Sequence, residues 1–174
     1  MKFRIYCILT AVIFILGCSE GDVIEDNFDF TASVENCSNG DDFVFFKIDP
    51  SINQALSLSF TSTTFELNTV PTDLTFSITL NSTSNVLVYR QFDNSIDGNT
   101  YFCSSVPPGN IQVTQELISS NGTATITYTE LSQTDTDITY TRSIVLENIT
   151  LIGTEIEVRQ ERINFGSDEI TIPK

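Results

Sequence analysis

Apolar residues recur at every second position along most of this chain. Leu56, Leu58 and Phe60 alternate with Ser57 and Ser59, and Leu74, Phe76, Ile78 and Leu80 alternate with Thr75, Ser77 and Thr79. Ala124, Ile126 and Tyr128 alternate in the same way with Thr123, Thr125, Thr127 and Thr129. A period of two sends successive side chains to opposite faces of an extended backbone, so each run has one apolar and one hydroxyl face. Strands of that kind belong in an antiparallel sheet that is packed on one side and wet on the other. The remaining β-rich runs predict strands over 43–48, 86–92, 111–118, 138–148 and 155–163, with a short one at 169–172. Turn signals separate them at Asn39-Gly40-Asp41, Val70-Pro71-Thr72-Asp73, Asp97-Gly98-Asn99, Pro107-Pro108-Gly109-Asn110, Gly153 and Gly166-Ser167-Asp168. Asn121-Gly122 stands between two strand-like runs and predicts a tight hairpin of type I′, in which both residues need positive φ. The expected fold is therefore all-β, an antiparallel β-sandwich of about eight or nine strands, with a closed β-barrel as the alternative.

The first 17 residues follow other rules. Lys2 and Arg4 precede an apolar run from Ile5 to Leu16, and Gly17 stands directly before Cys18. The run is shorter than the roughly 20 apolar residues that span a bilayer. A positive start, a short apolar middle and a small residue beside a cysteine resemble a bacterial lipoprotein signal peptide, with Ile15 and Leu16 where the usual motif carries Leu and a small residue. The resemblance implies that residues 1–17 form a cleaved signal helix and that Cys18 carries acyl chains holding the protein on a membrane. From Ser19 the chain is acidic, with Glu20, Asp22, Glu25, Asp26, Asp29 and Glu35 and no basic residue before Lys47. Residues 18–36 are expected to be the lipidated cysteine and an extended, self-repelling tether with a reach of roughly 60 Å. The acidic run after Cys18 also resembles the export signal that sends Bacteroidota lipoproteins to the outer face of the outer membrane. That likeness implies an outer-membrane, lipid-anchored protein facing the cell exterior. Residues 37–174 make one domain, long enough to bury a core.

Removal of the leader takes two basic residues and no acid, so the formal charge moves from −15 to −17, with 8 − 2 basic against 23 acidic residues. Nucleic acid and anionic lipid surfaces are poor partners for such a chain, because either needs a basic patch. Of the four cysteines, Cys7 leaves with the signal and Cys18 is taken by lipid. Cys37 and Cys103 remain in an exported protein, where a single disulfide between them is the natural expectation.

The chain contains no histidine. Ser-His-Asp and Cys-His nucleophilic machinery, imidazole zinc sites and histidine general bases are thereby excluded. Hydrolysis by paired carboxylates remains open to a chain without histidine. Glu155, Glu157 and Glu161 lie beside Arg159 and Arg162 and read as a solvated strand face with cross-strand charge pairs. Asp93-Asn94-Ser95-Ile96-Asp97-Gly98 follows the opening of a calcium loop, with oxygen side chains at alternate positions before a glycine. The twelfth position of that loop, a bidentate Glu in helical calcium sites, is Ser104. That excludes the helical motif, leaving Asp93, Ser95 and Asp97 as candidate ligands of a looser site or as an Asx-rich turn. No metal or cofactor is expected.

Tryptophan is absent, which removes the commonest flat platform for a sugar ring. Tyr89, Tyr101, Tyr128 and Tyr140 are the aromatic residues beyond the leader with a polar tip. Tyr101-Phe102 beside Cys103 fits either an exposed aromatic patch or a plug under a loop. Asn81-Ser82-Thr83, Asn121-Gly122-Thr123 and Asn148-Ile149-Thr150 match the glycosylation sequon and mark surface turns or strand ends. The chain as a whole resembles the small, acidic, all-β lipoproteins of Bacteroidota. The expected function is that of a non-enzymatic, membrane-anchored envelope protein, structural or presenting a binding surface to a protein or a glycan. The competing expectation is a carboxylate-dependent hydrolase at the cell surface.

Overall fold

A computed structural model of the chain describes Phe28 and residues 31–39, 42–61 and 65–174. Eight antiparallel strands form one sheet, curled into a half-barrel. They are β1 (Glu35–Asn39), β2 (Asp42–Asp49), β3 (Gln54–Thr61), β4 (Thr75–Thr79), β5 (Asn85–Phe92), β6 (Val113–Gln133), β7 (Asp137–Ile152) and β8 (Glu157–Pro173). A short helix, α1 (Gly98–Phe102), lies between β5 and β6. The strand order is β1-β2-β3-β5-β6-β7-β8, and β4 pairs with the second half of β6. The expectation of an all-β, antiparallel fold of about eight or nine strands holds, and what was expected as a β-sandwich or a closed barrel is one eight-stranded sheet curled into a half-barrel.

Register places the core on the concave face. Phe45 pairs with Leu58, Leu58 with Leu87, Leu56 with Tyr89 and Tyr89 with Leu117, and directly opposed residues share a face. Ile126, Ile144, Leu146, Ile163 and Phe165 continue that face, and all are fully buried. The curl brings β2 against β7 and β8. The Arg142 guanidinium lies 4.6 Å from the Phe45 ring centre, and Lys47 Nζ donates to the Asn164 carbonyl at 3.4 Å. At the ends of the sheet, Asn36 Nδ2 of β1 donates to Asp168 Oδ2 of β8 at 2.7 Å. Phe28 is also buried, against the Tyr89 ring at 4.6 Å. The packed domain thus includes a residue that its acidic neighbours place in the tether. Cys18 and residues 19–27 lie outside the described residues.

The inward-facing parity changes along the long strands, and here the structure departs from the local sequence signals. On β6, Leu117 and Ser119 point inward, then Ala124, Ile126 and Tyr128; on β7 the set passes from Arg142, Ile144 and Leu146 to Ile149 and Leu151. An odd-to-even switch needs an irregular residue, because regular pleating preserves parity. Gly122 supplies it on β6 with φ 136°, Asn148 on β7 with φ 54°, and the β6–β7 register shifts around Asn121. Asn121-Gly122 is therefore a bulge inside a 21-residue strand and makes no hairpin. The runs expected at 155–163 and 169–172 likewise fall in one strand, β8, which starts at Glu157, with Gly166 at φ 128° in a second bulge. The glycines do adopt positive φ, but bend the sheet instead of reversing the chain. The reversals fall at residues 134–136, where Thr134 N donates to the Asp137 carbonyl, and at Gly153, whose N–H donates to the Ile156 carbonyl.

Candidate functional site

The convex face of β2, β3 and β5 is roofed by the segment after β5. Its anchor is Asp97, which caps α1. The backbone of Asp97 is extended, and its carboxylate accepts from Thr100 N at 2.8 Å and Thr100 Oγ1 at 2.6 Å. The Thr100 hydroxyl and amide hold the Asp97 carboxyl below its ordinary value of 3.8. Gly98 then touches the sheet so closely that a Cβ would stand 2.3 Å from Phe46 Cε2 and 2.8 Å from Ile48 Cδ1. A larger residue there would force the Phe46 ring and Ile48, or the helix itself, to shift. One turn later Phe102 stacks on Phe46 at 4.9 Å, and Tyr101 meets the Phe92 ring edge-on at 5.0 Å. Of the two readings of Tyr101-Phe102, the plug beneath a loop describes this packing. Cys103 is bridged to Cys37 on β1, as the cysteine count predicts, with Cα atoms 5.8 Å apart. The segment is thus fixed at both ends of α1.

Between this roof and the sheet runs a cleft of about 400 Å3. Its floor carries Ser57, Ser59, Val44 and Val88, and Tyr101 and Pro107 are among the roof residues that line it. Arg90 lines it too, and donates from Nε to Glu116 Oε2 at 2.6 Å across the β5–β6 ladder. Asp42 is the one carboxylate among the described lining residues. Val106, next to Pro107, is 79% exposed, the most exposed of the large apolar residues described. Serine hydroxyls, a held guanidinium and an aromatic ring are groups that orient a ligand in a cleft of this size.

The other sequence candidates are dispersed. Asp93 and Asp97 serve different backbones: Asp93 Oδ1 accepts from Gln112 N at 3.0 Å, whereas Asp97 caps α1. Ser95 is exposed beside them. Among the described residues no group of three or more His, Cys, Asp or Glu is arranged to hold a metal ion. Glu157 pairs with Arg159 and Glu147 with Arg162, as a charged strand face should. Sequence reasoning missed the buried pair of Arg142 and Asp168. Arg142, 2% exposed, donates to Asp168 from Nε at 2.9 Å and Nη2 at 2.6 Å, and to the Leu67 carbonyl from Nη1 at 2.6 Å. Burial pushes the neighbouring Tyr128 hydroxyl above its ordinary pKa, against an opposing pull from Arg142. The signal was present: Tyr140, Arg142 and Ile144 share a parity that is otherwise apolar.

Compared with protein-family models, with curated proteins and with solved structures, the chain matches none.

Proposed function

We propose that this protein is a non-enzymatic, lipid-anchored lipoprotein of the outer membrane, facing the cell exterior, and that its β domain presents the convex-face cleft to an envelope protein or glycan. The observation that carries the binding role is the cross-linked roof. Asp97, Gly98, Phe102 and the Cys37–Cys103 bridge all hold one short segment over a hydroxyl-lined floor. A preorganised cleft loses less freedom when it takes a partner, which is where a small binding surface gains affinity. The half-barrel interior is filled by its own side chains, including Phe28, Phe45, Phe60 and Phe165. Recognition therefore belongs on the outside of the sheet. The anchor rests on Gly17-Cys18 and the surface location on the acids that follow it.

A photo-crosslinking amino acid at Val106 tests the reading in intact cells. A discrete adduct is expected, and it should weaken when Arg90 is changed to Ala or when Cys37 and Cys103 are both changed to Ser. No adduct at Val106, or one indifferent to these changes, refutes the cleft as the binding surface. Hydrolysis of an envelope polymer by the purified chain, abolished in an Asp42→Asn variant, would replace the binding role with the carboxylate-dependent hydrolase.

A further inference from the structure

The irregular stretch of β6 and β7 around Asn121 and Asn148 carries a second groove, which the start of β8 also lines, at the other end of the sheet from the cleft. It encloses about 690 Å3, and Ser120, Asn121, Asn148, Thr150, Glu157 and Glu161 are among the residues that line it. Asn121 and Asn148 are exposed, and neither amide has a protein partner among the described residues. Glu161 falls opposite Asn148, between the pairs Glu147–Arg162 and Ile149–Gln160, and is exposed and likewise unengaged. The two amides and the carboxylate line the groove together.

The shape of the backbone explains why they are there. Asn148 has φ 54°, a left-handed conformation in mid-strand, and the bend needs an irregular residue on β7. Glycine would meet that need at no steric cost. Asparagine meets it too and adds a donor and an acceptor.

We infer that this groove binds a neutral oligosaccharide, independently of whatever the convex-face cleft takes. Planar amides donate and accept at once, and a carboxylate accepts from two adjacent hydroxyls, which is how vicinal diols are held. Glu157 is neutralised by Arg159 at 2.6 Å, so Glu161 leaves the groove slightly negative. Together with the formal charge of the chain, −15, this disfavours an anionic polymer. Ile152, 47% exposed, lines the groove and offers an apolar ledge for the C–H face of a sugar ring.

The test uses the full-length protein and calorimetric titration with neutral tetrasaccharides: β-1,4-linked N-acetylglucosamine, mannose, xylose and glucose, and α-1,4-linked glucose. A tetramer of a uronic acid is the charged control. At least one neutral sugar should bind, and Asn148→Gly and Glu161→Gln should each weaken it by roughly tenfold, the scale of one well-made hydrogen bond. Asn148→Gly separates recognition from folding, because glycine suits φ 54° and the thermal midpoint should not fall. Glu130→Gln, exposed on β6 and outside both the cleft and the groove, should leave sugar binding unchanged. The inference is overturned if no neutral sugar binds, if the uronic acid binds better, or if binding ignores Asn148→Gly and Glu161→Gln. None of those results bears on the Val106 adduct, so the two readings can fail separately.

Discussion

Replacing Asp168 with Ala strands a buried cation. Arg142 would lose both charged bonds, at 2.9 and 2.6 Å, in a site where the two side chains are 2% and 10% exposed. Removing one partner of a buried pair costs roughly 3–5 kcal/mol, because the remaining charge keeps its desolvation penalty without its compensation. The lower end applies here. The Leu67 carbonyl still accepts from Nη1, and the Phe45 ring still faces the guanidinium. The expected loss is about 3 kcal/mol, read as a shift in the urea midpoint at unchanged slope. Paired replacement, Arg142→Met with Asp168→Leu, removes both charges and should return stability to within about 1 kcal/mol of the native protein. With Arg142→Met and Asp168→Leu measured singly beside the pair, the double-mutant cycle isolates the coupling between the two side chains. Raised salt should barely alter the cost of Asp168→Ala, since a buried pair is weakly screened. A loss under about 1 kcal/mol, or one that vanishes in salt, would mean that water reaches the pair as it does on a surface, and the burial argument would be wrong.

Changing Cys37 and Cys103 together to Ser opens a loop with a sequence separation of 66, for which chain entropy gives about 4 kcal/mol; equal stability of the oxidised native protein and the variant would contradict this. Gly122→Ala forces a Cβ to 2.4 Å from Ile149 Cδ1 at φ 136°, and should destabilise by about 2 kcal/mol or more in the same urea assay, whereas a surface hairpin glycine would tolerate the change better. The Asp97 carboxyl is held below 3.8 in the fold, so its cap is in full force above that pH and is lost as pH falls through the lowered value; the protection of Thr100 N, its exchange rate relative to that of the unstructured amide at the same pH, should fall on acidification in the native protein and stay constant in Asp97→Asn, which caps without titrating.

What the sequence conveyed well was the local pattern. Strands at 56–60, 74–80 and 86–92 were legible because alternation, β-propensity and flanking turns agree there, and the disulfide because the expected leader and lipid site leave Cys37 and Cys103 with one pairing. The cleft was only half legible: Tyr101, Phe102 and Cys103 stood out, but Arg90, Ser57 and Ser59 look like ordinary strand residues until the register of β2, β3 and β5 lays them beneath the roof. Phe28 was missed for a different reason. Its acidic neighbours make the stretch read as a tether, although Phe28, Phe30, Ala32 and Val34 stand at every second position, and the Tyr89 ring gives Phe28 its place in the core.

The hairpin expected at Asn121-Gly122 shows which interaction decides between two uses of one local signal. Asn-Gly supplies positive φ, and positive φ serves a type I′ turn and a bulge alike. The partner strand breaks the tie. From Asp137 to Ile152 the chain contains no glycine and no proline, so nothing stops β7 from running its full 16 residues. A hairpin at Asn121-Gly122 would pair the two halves of β6 with each other and leave much of β7 without a ladder on that edge. A continuous β6 satisfies β7 along its length, from Ile118↔Ile152 to Gln133↔Ile138, and also accepts β5 and β4 on its other edge. The long-range ladder therefore outweighs the local turn preference. Curving that ladder round a core requires the irregular residues Gly122 and Asn148 near its middle, and the same irregularity turns Asn121 and Asn148 outward onto the groove proposed to hold a sugar.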